Sequence, residues 1–397
     1  MTTRHNSLLK NKEDYILKKS LNTFSTSRLS NKPLAILVVL IAVFLSFPLM
    51  AEQPKTNFYS SISFFDAIAN DDIVNVTIET NITELIENRK NEEYLPATMK
   101  WEDATGIWNT YEVGIMPRGK FRRRICDFPP LKINFSKSDL KASGLAQFDK
   151  LKLVTHCVED KNEGNSNLLK EYLAYKLYNE LTPNSFRVQL IKVTYIDNVG
   201  DYGEETRYGF IIESEKELAQ RLGGVECEDC FNPSPENVSS KDMGITSIFN
   251  YMIGNGDWGI EMNKNLAMVK MNSNNKLVPV PYDFDFSGLV STSYAIPNPN
   301  YGLKSIRDRV YLGTELDNTQ ITAILQYFVN KKSALESIVK NMKPLRYNYR
   351  QEVLTYLDEF YSEVDLLLSM KNVNLYEVLK NAHTQGVNYP GGQTLGK

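Results

Sequence analysis

Histidine is nearly absent: there are three in 397 residues, at positions 5, 156 and 383. A Ser-His-Asp or Cys-His hydrolase would have to use His156 or His383, and neither lies in a loop with a candidate nucleophile. The chain has no H-E-x-x-H pair, which removes the best-marked zinc-hydrolase arrangement. Acid–base chemistry therefore falls to carboxylates. The β-rich half has no G-x-G-x-x-G loop, so backbone cover for a phosphate there would have to come from Gly114 to Lys120. The apolar run Leu34 to Leu45 is shorter than the ~20 residues a spanning helix prefers. Basic residues precede it and Ala51 follows it, the pattern of a cleaved export signal near Ala51–Glu52, with a type II anchor as the alternative.

Past that leader acids outnumber bases. Residues 1–51 hold seven Lys or Arg and two Asp or Glu, a net of +5, so the chain total of −3 leaves −8 for residues 52–397. A body this acidic is not expected to bind nucleic acid, which needs a basic face. The one dense basic patch, Arg122-Arg123-Arg124, reads as solvated arginines on an exposed strand edge. Cysteine is also sparse, at Cys126, Cys157, Cys227 and Cys230. In an exported body these read as structural disulfides of unassigned connectivity, a four-cysteine zinc site being the alternative. Cys227 and Cys230 form a C-x-x-C in a Gly/Pro/Asn-rich loop without the helix start of a redox-active pair.

What is present is patterned. Apolar alternation predicts strands near 74–79, 95–101, 110–116, 130–136, 151–156, 186–196 and 206–212. Three-four spacing predicts helices over 84–91, 168–181, 245–253, 318–342, 346–370 and 373–381. The expected organisation is a leader (1–51), a linker (52–72), a β-rich half (73–222), a second half with a helical tail (223–385) and a disordered end (386–397).

The most informative stretch begins at Gly254-Asn255-Gly256-Asp257-Trp258 and continues through Asn263-Lys264-Asn265. Two short strands, Leu266 to Val269 and Leu277 to Val280, lead to Tyr282-Asp283-Phe284-Asp285. It is an acid in a glycine-rich loop, an amide, a strand–turn–strand and two more acids. Phosphotransfer uses such groups: one carboxylate orients the acceptor hydroxyl, and an amide with a second carboxylate holds the cation that neutralises the phosphates. The alternative is a hairpin flanked by ordinary turn residues.

In this order the residues resemble the atypical kinases, the spore-coat CotH type most closely and the HipA-type toxin kinases more distantly. Arg118-Gly119, then Leu131-Lys132-Ile133-Asn134-Phe135, then Tyr208-Gly209-Phe210-Ile211-Ile212-Glu213 extend the resemblance over roughly residues 110–310. It implies an α+β, two-lobed protein-kinase-like fold with a β-rich N-lobe and a helical C-lobe. It implies Asp257 as the catalytic acid, and Asn265 (with Asn263 as rival), Asp283 and Asp285 as metal ligands. Lys132 (with Lys152 second), Glu171, Glu213 and Arg118 would bind ATP or another nucleotide with Mg²⁺ or Mn²⁺. Arg307 and Arg309, two apart after an irregular Tyr/Asn/Pro tract, are candidates for an anionic substrate, or else a structural ion-pair segment. The function expected is phosphoryl transfer to a protein or glycan hydroxyl by an exported, periplasmic, cell-surface or membrane-anchored protein that touches membrane only through its N-terminal segment. The alternative is a catalytically inactive envelope-binding or adhesion module.

Overall fold

The alternation in the first half is borne out as strands, and what matters is how they close. A computed structural model describes residues 62–103 and 105–385, which belong to one compact unit, Tyr59–Lys397. Helix α1 (Phe64–Ile68) opens with a capping box: Ser63 Oγ accepts the Asp66 N–H at 2.9 Å and Asp66 accepts the Ser63 N–H at 2.8 Å. Next come β1 (Val74–Thr80), α2 (Ile82–Glu87), β2 (Leu95–Glu102), β3 (Trp108–Pro117), α3 (Arg122–Ile125), β4 (Leu131–Phe135), α4 (Lys137–Ala142) and β5 (Lys150–Val154). The long α5 (Lys161–Leu181) precedes β6 (Val188–Asp197) and β7 (Glu204–Ile212).

These seven strands form a closed barrel in the order β1-β2-β3-β4-β5-β7-β6. Closure comes from β1 running parallel to β6, with Val74 opposite Ile191 and Thr80 opposite Asp197. The closed barrel corrects the expected two-lobed protein-kinase-like fold. The individual strands were legible from period-two burial, but the closing pair joins segments more than a hundred residues apart, and local periodicity carries no record of that pairing. Inward residues of β1 (Val74, Val76, Ile78) face Trp101, Ile133 and Phe135 in one core. Phe64 of α1 enters it, its ring 4.2 Å from Phe135 and 4.9 Å from Trp101 between centroids. The first described part of the expected linker is therefore a buried plug, its hydrophobic content being too short to show a period.

The second half builds α6 (Glu215–Arg221), β8 (Gly224–Glu226), α7 (Ser240–Met252), β9 (Leu266–Met271) and β10 (Leu277–Pro281), the strands ordered β10-β9-β8. It ends in α8 (Asn318–Asn341), α9 (Tyr347–Ser369) and α10 (Leu375–Gln385). Leu173 and Leu177 of α5, Ile248 and Phe249 of α7, and Phe328 and Phe360 of the tail helices share one core with Phe210 and Ile212 of the barrel wall. Helix α5 starts seven residues before the expected 168, because Lys161–Asn167 is polar and its start is set by capping: Asp160 accepts the N–H groups of Asn162 and Glu163. Two disulfides form, Cys126–Cys157 and Cys227–Cys230, as the structural reading expected. Among the described residues no helix is long and apolar enough to cross a membrane. The expected leader (1–51) and disordered end (386–397) lie outside the described residues.

Candidate functional site

Three chain reversals meet at one cleft of about 360 Å³. The first is the turn after β3, where Gly119 holds a φ of +82°, a conformation that favours glycine. It presents Arg118 and Lys120 to the cleft and leads into α3. The second runs from α7 to β9. There Asn255 is anchored by its amide to Asn250 at 2.9 Å, and its own oxygen accepts the Asp257 N–H at 2.9 Å, an Asx turn that fixes the acid. The third follows β10 and carries Asp283 and Asp285.

The β9–β10 hairpin brings the second and third together. Leu266 pairs with Pro281, and one step beyond, the Tyr282 N–H donates to Asn265 O at 3.0 Å. Asn265 thus sits beside the residue preceding Asp283. Its amide nitrogen donates to the Asp257 carbonyl at 2.7 Å and to the Asp257 carboxylate at 3.0 Å. Lys264, which sequence reasoning did not single out, also hydrogen-bonds the Asp257 carboxylate. Asn265 and Asp283 hold left-handed backbone, φ 53° and 64°, which Asn and Asp tolerate better than other non-glycine residues. The rival amide Asn263 faces elsewhere: with its nitrogen turned toward carbonyls it donates to Cys230 O at 3.1 Å.

Behind the cleft lies a buried charge cluster. Glu171, Asp283 and Asp285 offer carboxylate oxygens all within 4.8 Å of one another. Arg122 lies among them, its side chain 6% exposed, 3.3 Å from Glu171, 3.1 Å from Asp285 and in direct contact with Asp283 Oδ1. The expectation of solvated strand-edge arginines is corrected here. Arg122 is on a helix and inside, because the Cys126–Cys157 bond ties the end of α3 to the approach to α5. Nothing in a run of three arginines marks which one turns inward. Burial alone would raise Asp283, but Arg122, Arg118 and Lys152 outweigh it and hold this carboxyl below the ordinary range. Asp285 goes the other way. Burial, reinforced by Asp283 and Glu171, overrides Arg122 and pushes it well up, while the Tyr294 hydroxyl donates to it at 3.1 Å. Burial likewise raises Glu171 against the pull of Arg122. Of the three, Asp283 is the one held below the ordinary carboxyl range and the one reachable from the cleft, its side chain 29% exposed.

The lysine candidates separate. Lys132 and Lys152 are cross-strand neighbours on β4 and β5, and both line a second hollow of about 320 Å³ with Glu215. Lys132 is not among the residues lining the aspartate cleft. Lys152 does not line that cleft either, but it pairs with Glu215 at 2.5 Å, lies 4.3 Å from the Tyr282 ring centroid, and lowers Asp283. Glu213 is buried away from the cleft between Arg187 (2.9 Å) and Arg221 (2.6 Å). Arg307 pairs with Glu352 at 3.0 Å, and Arg309 donates to Tyr356 O at 2.6 Å and pairs with Glu363 at 3.4 Å. Both stack on the Tyr356 ring and fasten the irregular tract to α9.

The cleft can thus present one positioned acid, a second carboxylate held below the ordinary range and cations at its rim. No protein-family model matches this chain, and no curated protein does. Among solved structures it is similar to the crystal structure of a Helicobacter pylori proinflammatory kinase, CtkA, at 13% identity and a TM-score of 0.33, covering 59% of this chain and 91% of that one. This is a distant structural likeness to a kinase. It singles out neither the CotH type nor the HipA type, and a TM-score of that size carries no argument about fold or activity.

Proposed function

We propose that the cleft binds a phosphate ester, ATP or another nucleotide, with Mg²⁺ or Mn²⁺, and transfers a phosphoryl group to a hydroxyl of a protein or glycan. The observation that carries this is the convergence of Asp257, Asp283 and Asp285 with Arg118 and Lys264 on one cleft from three separate reversals. The donor set suits a hard divalent cation. Asp283, held below the ordinary carboxyl range, is open to the cleft, Arg122 engages only its Oδ1, and Asp285 and Asn265 are oxygen-bearing neighbours. When bound, such an ion would neutralise phosphate charge. Asp257, steadied by Asn265 and Lys264, would accept the proton of the acceptor hydroxyl or orient that hydroxyl. Arg118 and Lys120 would hold phosphate oxygens, and Lys152 would reach toward them from the adjoining hollow.

A second reading rests on Arg122. A guanidinium already compensates the three carboxylates, as it would in a binding module with no need of metal. Calorimetry with nucleotide and Mg²⁺ decides between the two. Under the enzyme reading Asp283→Ala abolishes Mg²⁺-dependent binding. Asp257→Ala binds nearly as wild type but loses transfer, since its work is done in the transition state. No nucleotide binding by the wild type with either Mg²⁺ or Mn²⁺ leaves only the binding module. For location we propose an extracytoplasmic body, which the two disulfides and the basic–apolar N-terminal segment support.

A further inference from the structure

A second polar cluster, made of residues that do not line the aspartate cleft, stands where β5 hands over to α5. His156 lies two residues past Val154, is fully buried, and neither of its ring nitrogens has a hydrogen-bond partner. Stripping an imidazole of water without replacing its partners is costly, so such a ring invites a ligand. Its Nε2 lies 4.0 Å from Glu205 Oε2 on β7. A carboxylate oxygen of Glu159 completes a triad whose ligand atoms all lie within 4.8 Å of one another.

Geometry and chemistry agree on what would fit between them. Zinc binds imidazole nitrogen and carboxylate oxygen at about 2.0–2.2 Å, which sets neighbouring ligand atoms of a tetrahedron roughly 3.3 Å apart. The three atoms are therefore within about an ångström of closing on such an ion.

The surrounding groups already orient the acids. Glu205 Oε1 accepts from Arg207 Nε at 2.6 Å, and its Oε2 accepts the Tyr202 hydroxyl at 2.8 Å. The Glu159 N–H donates to Asp127 Oδ2 at 3.0 Å, and its carbonyl accepts from Arg207 at 2.7 Å. The Cys126–Cys157 bond abuts both His156 and Asp127 and fixes the segment between them. Such outer partners are what hold metal ligands in place. Asp127, Glu159 and Glu205 against Arg207 also leave the locality net negative, which a dication offsets.

We infer that His156, Glu159 and Glu205 form a binding site for a zinc-class divalent cation, with its remaining position open to water through the half-exposed Glu159. The site is independent of the proposed phosphotransfer.

The test uses the full chain, stripped with chelator and titrated calorimetrically with ZnCl₂, then with CoCl₂ followed by its visible absorption. We expect one Zn²⁺ bound per chain through these residues, a four-coordinate Co²⁺ spectrum and a raised Tm. His156→Gln and Glu159→Ala should each lose them, and Asp283→Asn should keep them. Tyr202→Phe, which removes an outer partner only, should weaken binding roughly 10–100-fold. Glu159 is 56% exposed, so its variant folds even if the His156 variant does not. No zinc uptake by the wild type, or uptake unchanged by Glu159→Ala, overturns the assignment. Uptake that disappears in Asp283→Asn instead also overturns it, by moving the metal to the cleft.

Discussion

At the residue scale, Arg122 decides the character of the cleft. It is one positive charge among two buried carboxylates and a half-buried one, and removing one partner of a buried ionic cluster typically costs about 3–5 kcal/mol because the remaining charges are left uncompensated. Arg122→Met should therefore lower the melting temperature by several degrees or prevent folding. If Asp283 and its neighbours can hold a dication, millimolar Mg²⁺ or Mn²⁺ should restore the variant's Tm far more than it changes the wild type's. Differential scanning fluorimetry with and without metal reads both effects, and a variant that metal does not rescue would count against cation binding there. Asp257 contrasts with this. Its carboxylate is 31% exposed and shared with Lys264 and Asn265, so its replacement should leave the fold nearly unchanged.

At the element scale, α3 is four residues long and makes no side-chain cap bond at its start, so it cannot hold its own shape. What holds it is the bond from Cys126 to Cys157, 31 residues on. Removing a cross-link over a loop of that length costs roughly 3–4 kcal/mol in chain entropy. The double replacement Cys126→Ser with Cys157→Ser should show that loss in chemical denaturation. It should also release Arg122, so that nucleotide affinity falls even where the protein remains folded. Stability lost with affinity intact would mean that packing alone seats α3. The β9–β10 hairpin is the opposite kind of element. Its two short apolar strands and polar turn make it visible in the sequence, and the acids and amide at its open end follow from its register.

At the scale of the whole molecule, barrel, plug and second half are joined through one ionic knot. Arg187, just before β6, binds Asp66 of α1 at 2.7 Å, Glu213 at 2.9 Å and Glu217 of α6 at 2.6 Å. Ser63 Oγ donates to the same Glu217 carboxylate at 2.5 Å. Burial raises Glu217 from 4.5 to about 7 despite Arg187. An acid whose folded value lies above its unfolded one takes up more protons folded than unfolded between the two. The contribution of Glu217 is thus favourable at pH 4.5 and declines until about pH 7. Glu217→Gln should flatten the fall in Tm across that window relative to wild type, as measured by melting at intervals of half a pH unit. An identical pH profile for the two proteins would mean that Glu217 is ionised throughout the window.

The sequence by itself determined the elements and the order of the chemistry. Period-two and three-four spacing placed most strands and helices within a few residues, because burial of one face is a local demand on the side chains that make it. The run from Asp257 to Asp285 showed which acids and amide would come together, because a short hairpin leaves their strands a single register. The tertiary structure decided the rest. Barrel closure through β1 and β6, the inward turn of Arg122 rather than Arg123 or Arg124, and the place of Lys152 over the Tyr282 ring all depend on contacts between segments distant in the chain. So does the buried, unpartnered His156, which in the sequence is simply one of three histidines. Composition and spacing record what a residue needs from its neighbours along the chain, whereas these four outcomes depend on neighbours that only folding supplies.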